Sequence, residues 1–155
     1  MITREDKELL LRDICGRLPY GVIVDYKENE FEIPHWKITT IHPDTFDGWI
    51  GYDKRIGAGS ESGSRPFKIG EVKPYLRPMS SMTEEECDMV EEILGDKCIF
   101  DFMSNGDIVL KQGQFSQNKL AKLYDYYASI HVDYRGLIPK GLALEAPEGM
   151  YKKEK

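Results

Sequence analysis

No GK[ST] phosphate-loop ending, no GxSxG turn, no CxxC pair and no apolar run long enough to cross a bilayer occurs in this chain. The first absence removes the lysine and hydroxyl that a nucleotide-binding loop places on phosphates and magnesium. The second removes the strained turn that presents a hydrolase serine. Only three cysteines and three histidines are present. Zinc needs three or four nitrogen, sulfur or carboxylate ligands in tetrahedral array, and no pair here has the close spacing that announces one. An odd number of thiols without paired spacing fits a reducing compartment. The amino-terminal MITREDKE is charged where a secretory leader needs an apolar run. The expectation is a cytosolic, unanchored protein without a cofactor.

Positive charge is also scarce. Twenty-one Lys and Arg face 27 Asp and Glu, a net charge of -6, with pI near 5.2. Binding nucleic acid by bulk charge requires cations to replace phosphate counterions, so this balance argues against it. What the chain does have is apolar content, 41% of 155 residues, enough to fill the core of one domain or two very small ones.

Thr3 followed by Arg4, Glu5 and Asp6 predicts a capped helix running to about Arg17, with Leu10, Leu11, Ile14 and Leu18 on its buried stripe and Pro19 stopping it. From Tyr20 the period becomes extended. GVIVDY, FEIPHWKITTI, DGWIGY and Phe67 to Val72 are four candidate strands, with Pro34 marking an edge or a bulge. Between Tyr52 and Pro66, DKRIGAGSESGSR has no apolar periodicity and predicts a mobile loop. Lys73 to Pro78, with two prolines, predicts an extended connector that leaves the sheet.

Thr83 with Glu86 fits a capping box, opening a helix whose apolar side is Met82, Cys87, Val90, Ile93 and Leu94 and which stops near Gly95. CIFDFMSNGDIVLKQ predicts a hairpin with a type I′ turn at Asn105 and Gly106. Phe115 and Ser116 open a further helix with Leu120, Leu123, Tyr124, Tyr127 and His131 along one face. After Tyr134 the tail, rich in Leu137, Ile138, Leu142, Leu144 and Met150, is too apolar to stay solvated, so it folds back as far as Met150. The fold class expected is α+β. A helix and a small curved antiparallel sheet or Src-homology-3-like barrel occupy 1–78, and a helix-hairpin-helix unit with its packed tail occupies 79–155, the two sharing a core.

Three constellations carry possible chemistry. The segment from Tyr52 to Pro78 is basic inside an acidic chain, and aromatic residues lie in or near it. Trp49, Tyr52, Lys54, Arg55, Arg65 and Lys68 are therefore the candidate binding residues, for a protein partner or for nucleic acid by stacking beside cations. The competing reading is that the aromatics fill a small core and the cations pair with neighbouring acids. HPDTFD brings His42, Asp44 and Asp47 close in sequence, which is the alternative of a metal-dependent hydrolase, although a solvated turn explains the same residues. The acidic run Glu84, Glu85, Glu86, Asp88, Glu91 and Glu92 offers a surface to a basic protein, the alternative of an acidic structural or inhibitory protein. Most such runs are solvated helix faces. His131, Cys87, Ser80 and Ser81 are expected in packing and capping roles, with no catalytic residue assigned.

VKPYLRPMSSMTEEE, from Val72 to Glu86, and DYRGLIPKGLALEAPEGMY, from Asp133 to Tyr151, resemble segments that recur in small uncharacterised proteins of gut Bacteroidales bacteria and of their phages and prophages. The resemblance covers about a quarter of the chain. It implies a phage-related setting and assigns catalysis to none of these positions.

Overall fold

Thr3 opens the first helix through a reciprocal pair of bonds. Its hydroxyl accepts from the Asp6 amide at 3.1 Å, and the Asp6 carboxylate accepts from the Thr3 amide at 3.1 Å. These bonds satisfy amides that no intrahelical carbonyl reaches, and the hydrogen bonds from Thr3 hold the Asp6 carboxyl below its ordinary range. The helix that follows, α1, spans Arg4–Arg17. Leu10 and Ile14 are buried on the expected stripe, and so are Asp13 and Arg17, both at 0% exposure. The Arg17 guanidinium donates to the two Asp13 oxygens at 2.7 and 2.9 Å, one helical turn apart.

The structure, a computed structural model, describes residues 2–26, 36–56, 59–95, 100–102, 108–110 and 117–151. Pro34 and Cys98 lie outside them, as do the residues before Gln117 at which the last helix was expected to start. The fold is α+β. Strands β1 (Ile23–Tyr26), β2 (Trp36–His42), β3 (Asp47–Ile56), β4 (Gly59–Lys68) and β5 (Val72–Leu76) pair antiparallel in the order β4-β3-β2-β1-β5. A two-residue β8 (Leu144–Glu145) follows β5 in that order. The six-stranded sheet is open, ending at β4 and β8, and does not close into the barrel that was one form of the expectation.

Two further expectations are corrected. Tyr52 to Pro66 is not a loop, because β3 and β4 pair continuously from Asp47↔Lys68 to Ile56↔Gly59. A hairpin ladder satisfies backbone groups whatever the side chains are, so a glycine-serine strand gives no apolar period to detect. Packing also helps, since a Cβ at Gly63 would lie only 2.7 Å from the Tyr52 ring, which occupies the space a side chain would need. The supposed strand from Phe67 to Val72 is broken by a 3-10 turn at Ile69–Glu71. The chain then forms β5, with Pro74 opposite Val24, where a connector was expected. Proline is tolerated here because the strand beyond β5 has only two residues and most of that edge needs no amide.

The chain divides into two compact units, 1–75 with 137–144, and 76–136 with 145–155. In the first, Trp36 is 1% exposed and meets Tyr26 and Tyr52 edge-on at 5.9 and 4.9 Å, and Val22, Val24, Ile38, Ile50, Phe67 and Leu137 are buried in the same unit. In the second, α2 (Glu84–Leu94) and α3 (Gln117–Ser129) pack through Val90, Leu94, Leu123, Tyr127 and Val132. Lys119 donates to the terminal carbonyl of Leu94 at 2.8 Å. Strands β6 (Phe100–Phe102) and β7 (Ile108–Leu110) form the expected hairpin, with its Asn105-Gly106 turn outside the described residues. His131 does not continue the α3 face. The helix ends at Ser129, and His131 adopts a left-handed φ of 59°, its ring stacked on Tyr151 at 3.7 Å. No helix among the described residues is long and apolar enough to cross a membrane.

Breaking a buried ion pair strands one uncompensated charge in the core. Asp13→Ala is expected to lower stability by about 3 to 5 kcal/mol, read from urea unfolding midpoints at constant m-value. Replacing both partners, as Asp13→Leu with Arg17→Met, is expected to recover most of that loss. An Asp13→Ala protein as stable as the parent would show that the pair contributes nothing.

Candidate functional site

Strand alternation decides which candidate residues act together, because successive side chains point to opposite sides and cross-strand partners share a side. Ile50, opposite Ile38 and Arg65, is fully buried, whereas Trp49, opposite Pro66 and Thr40, is 46% exposed. Trp49 and Lys68 therefore share the solvent-facing side. By the same parity Tyr52 and Arg65 share the other side, Tyr52 against Trp36 and Arg65 lining a 480 Å³ hollow with Tyr26, Phe67 and Glu71; Lys68, the last residue of β4, and its partner Asp47 line that hollow as well, so Lys68 stands where the two sides meet. Lys54 and Arg55 hold ladder positions opposite Glu61 and Ser60.

The register also adds a residue outside the original six. Exposed Lys37 is opposite Gly51 and so shares Trp49's side; Lys68 is a regular diagonal neighbour of Trp49, roughly 7 to 8 Å away, whereas on the β2 side a register shift between Ile38 and Thr40 lies between Lys37 and Thr40, the partner of Trp49. The Thr39 hydroxyl donates to the Trp49 carbonyl at 3.0 Å, tying β2 to β3 at this point. Farther along the same side, Lys73 faces Asp25 in register. Burial first, and then the Asp25 charge, pushes the Tyr75 hydroxyl up from its ordinary pKa. Lys37 carried no sequence signal of its own; only the parity of β2 brings it into this group.

His42 and Asp47 are ladder partners across a turn in which the Phe46 amide donates to the His42 carbonyl at 3.0 Å. The Thr45 hydroxyl donates to Asp47 at 2.6 Å, and Asp44 lies exposed in the turn. Among the described residues no three His, Cys, Asp or Glu side chains come together as a cation site, and these three are no exception.

The second unit holds a cleft of 590 Å³. Arg77, Pro78, Ser81, Thr83 and Glu86 line one part and residues 145–151 the other, so each of the two quoted sequence segments supplies a wall. Its floor is an ion pair. Arg77 Nη1 and Nη2 donate to the Glu86 oxygens Oε1 and Oε2, each at 2.8 Å. The other guanidinium donors reach the Ser81 carbonyl at 2.8 Å, the Ile130 carbonyl at 3.3 Å and the Ser81 hydroxyl at 3.3 Å. Glu86 also accepts from the Thr83 amide at 2.9 Å, while the Thr83 hydroxyl accepts from the Glu86 amide, completing the expected capping box. Hydrogen bonds from Arg77 lower the Glu86 pKa, and those to Glu86 raise that of Arg77. Beside it, burial and the neighbouring carboxylates raise the Cys87 pKa and keep the thiol protonated.

No family model, curated protein or solved structure matches the chain.

The lowered Glu86 pKa sets a pH window. A carboxyl whose folded pKa lies below its unfolded value stabilises the fold above that unfolded value, near 4.5, and loses the contribution as pH falls through the folded pKa. Glu86→Gln is expected to cost about 2 kcal/mol at pH 7 and to converge with the parent in acid. Thermal unfolding of both proteins across this range checks the sign; a gap that widens in acid would refute it.

Proposed function

We propose that the protein is an interaction module that binds single-stranded nucleic acid across the solvent-facing side of its sheet. The observation that carries the reading is Trp49, 46% exposed, on an antiparallel ladder whose same side carries Lys68 on the β4 strand and Lys37 on the β2 strand. A base stacks on an exposed indole whatever its identity, and flanking ammonium groups meet the adjoining phosphates. The acidic total does not oppose this, because binding responds to the local field rather than to the sum. The first unit holds 13 acidic against 12 basic side chains and is nearly neutral. The reading places the module in the cytosol of a bacterial host, in the phage-related setting that the two segments imply.

Two tryptophans of opposite burial make the test direct. Oligothymidylate is expected to quench the emission of Trp49 and leave that of Trp36, which is 1% exposed. Trp49→Phe removes the response. Trp49→Ala weakens binding by about 1 to 3 kcal/mol. Lys37→Glu with Lys68→Glu abolishes binding at low salt, and affinity falls steeply as salt rises. Absence of quenching, or binding indifferent to salt and to both lysines, would refute the proposal. A response to oligoglutamate without one to oligothymidylate would replace nucleic acid by an acidic protein segment.

A further inference from the structure

We infer that the 480 Å³ hollow of the first unit receives a guanine base. The inference rests on the reading of the sheet as the path of a strand, and it names the base that the hollow selects. Pro66, the cross-strand partner of Trp49, and Lys68 both line the hollow, so it adjoins the stacking surface. The lining is balanced in charge. Asp47 and Glu71 stand with Arg65 and Lys68, and Tyr26 and Phe67 supply apolar walls. Such a lining suits a flat, neutral ligand that offers donors and acceptors together, rather than a bare anion or cation. The volume falls in the range of about 300 to 1,000 Å³ typical of small-molecule sites.

Each carboxylate is held at one oxygen. Asp47 Oδ1 accepts from the Thr45 hydroxyl at 2.6 Å, and Glu71 Oε2 accepts from the Lys68 amide at 2.7 Å. Among the described residues no hydrogen bond or ion pair reaches Asp47 Oδ2 or Glu71 Oε1. The backbone beneath them is fixed. Asp47 pairs with Lys68 in the ladder, and the Ile69 amide, in the 3-10 turn that ends at Glu71, donates to the Phe46 carbonyl at 2.9 Å. The turns that carry the two acids are thus tied to each other, and their acceptors are set in place before a ligand arrives.

An ionised carboxylate accepts and never donates. Guanine alone among the bases presents two adjacent donors, N1–H and the N2 amine, on its Watson–Crick edge. Adenine and cytosine place a ring acceptor beside their amine, and thymine flanks its N3–H with two carbonyls, so each of them sets an acceptor against the carboxylate. The far edge of guanine carries the acceptors O6 and N7, which lysine ammonium groups favour, and Lys68 is exposed where the two sides of the sheet meet. Single-stranded bases are read in this manner, by hydrogen bonds to their edges while the ring packs on aromatic side chains. Trp49 stacks on any base; the hollow adds a preference for one.

Calorimetric titration with deoxynucleoside monophosphates at low salt is the test, since it requires neither Trp49 nor a strand. The guanine nucleotide is expected to bind roughly tenfold or more tightly than the inosine nucleotide, which lacks only the N2 amine, and than the adenine, cytosine and thymine nucleotides. Asp47→Asn with Glu71→Gln, which retains acceptors for the Thr45 hydroxyl and the Lys68 amide, is expected to erase the preference for guanine over inosine. Unchanged thermal unfolding shows that folding is not the cause, and the comparison of nucleotides on the parent protein needs no variant. Trp49→Ala is expected to leave the preference in place. A single guanine within oligothymidylate is expected to raise affinity roughly tenfold; the nucleotide preference without that gain assigns the hollow to the free nucleotide. No binding of the guanine nucleotide, equal affinity for the inosine nucleotide, or a preference that survives the double substitution would overturn the inference. Guanine nucleotide bound without oligothymidylate would remove the strand reading alone, and oligothymidylate bound without any preference would remove this inference alone.

Discussion

Arg77 is the residue on which the second unit turns. Its side chain ties the 3-10 turn at Met79–Ser81, the start of α2 and the carbonyl of Ile130 beyond α3 to one guanidinium. Its backbone makes a further tie, donating to the His131 carbonyl and accepting from the Asp133 amide, both at 2.8 Å. A planar fork with five donors is the only side chain that can close so many carbonyl and carboxylate bonds at once, and lysine in its place would leave several unmade. The left-handed φ of His131 belongs to the same arrangement, because the chain must turn sharply after Ser129 for Val132 to run beside Arg77. Strain of this kind persists only where surrounding bonds over-determine it.

What the sequence disclosed and what it hid follow from how local each interaction is. Both helix starts were legible, since Thr3 and Thr83 bond residues three positions away and the pattern is complete within four letters. The apolar stripe of α2 was legible for the same reason. The partnership of Arg77 with Glu86, by contrast, spans nine residues of irregular chain, and no periodic rule connects them. Asp13 and Arg17 had the spacing of a helical ion pair, but spacing does not reveal burial. The strand from Gly59 to Lys68 was hidden more thoroughly, because its serines and glycines carry no apolar period and its existence rests on register with β3.

Parity explains why the candidate binding residues separate into groups. Counting aromatic and basic residues along a segment merges the two sides of a strand, while the structure distinguishes them one residue at a time. Tyr52 goes to the core around Trp36, and Trp49, three positions earlier, goes to solvent. The same count hid the segregation of charge, since a total of -6 gives no sign that one unit is almost neutral and the other strongly acidic.

Trp49 and Trp36 lie on neighbouring strands and differ in what the fold requires of them. Trp36 is enclosed by Tyr26 and Tyr52, so its loss would open a cavity, and any functional effect would be inseparable from unfolding. Trp49 keeps nearly half of its surface in water and contributes correspondingly little to the core. Its indole can therefore be removed at small cost in stability. A binding defect produced at that position then reports on contact with a ligand, because the ladder that holds it, Thr40 on one side and Pro66 on the other, is made by backbone and survives the change.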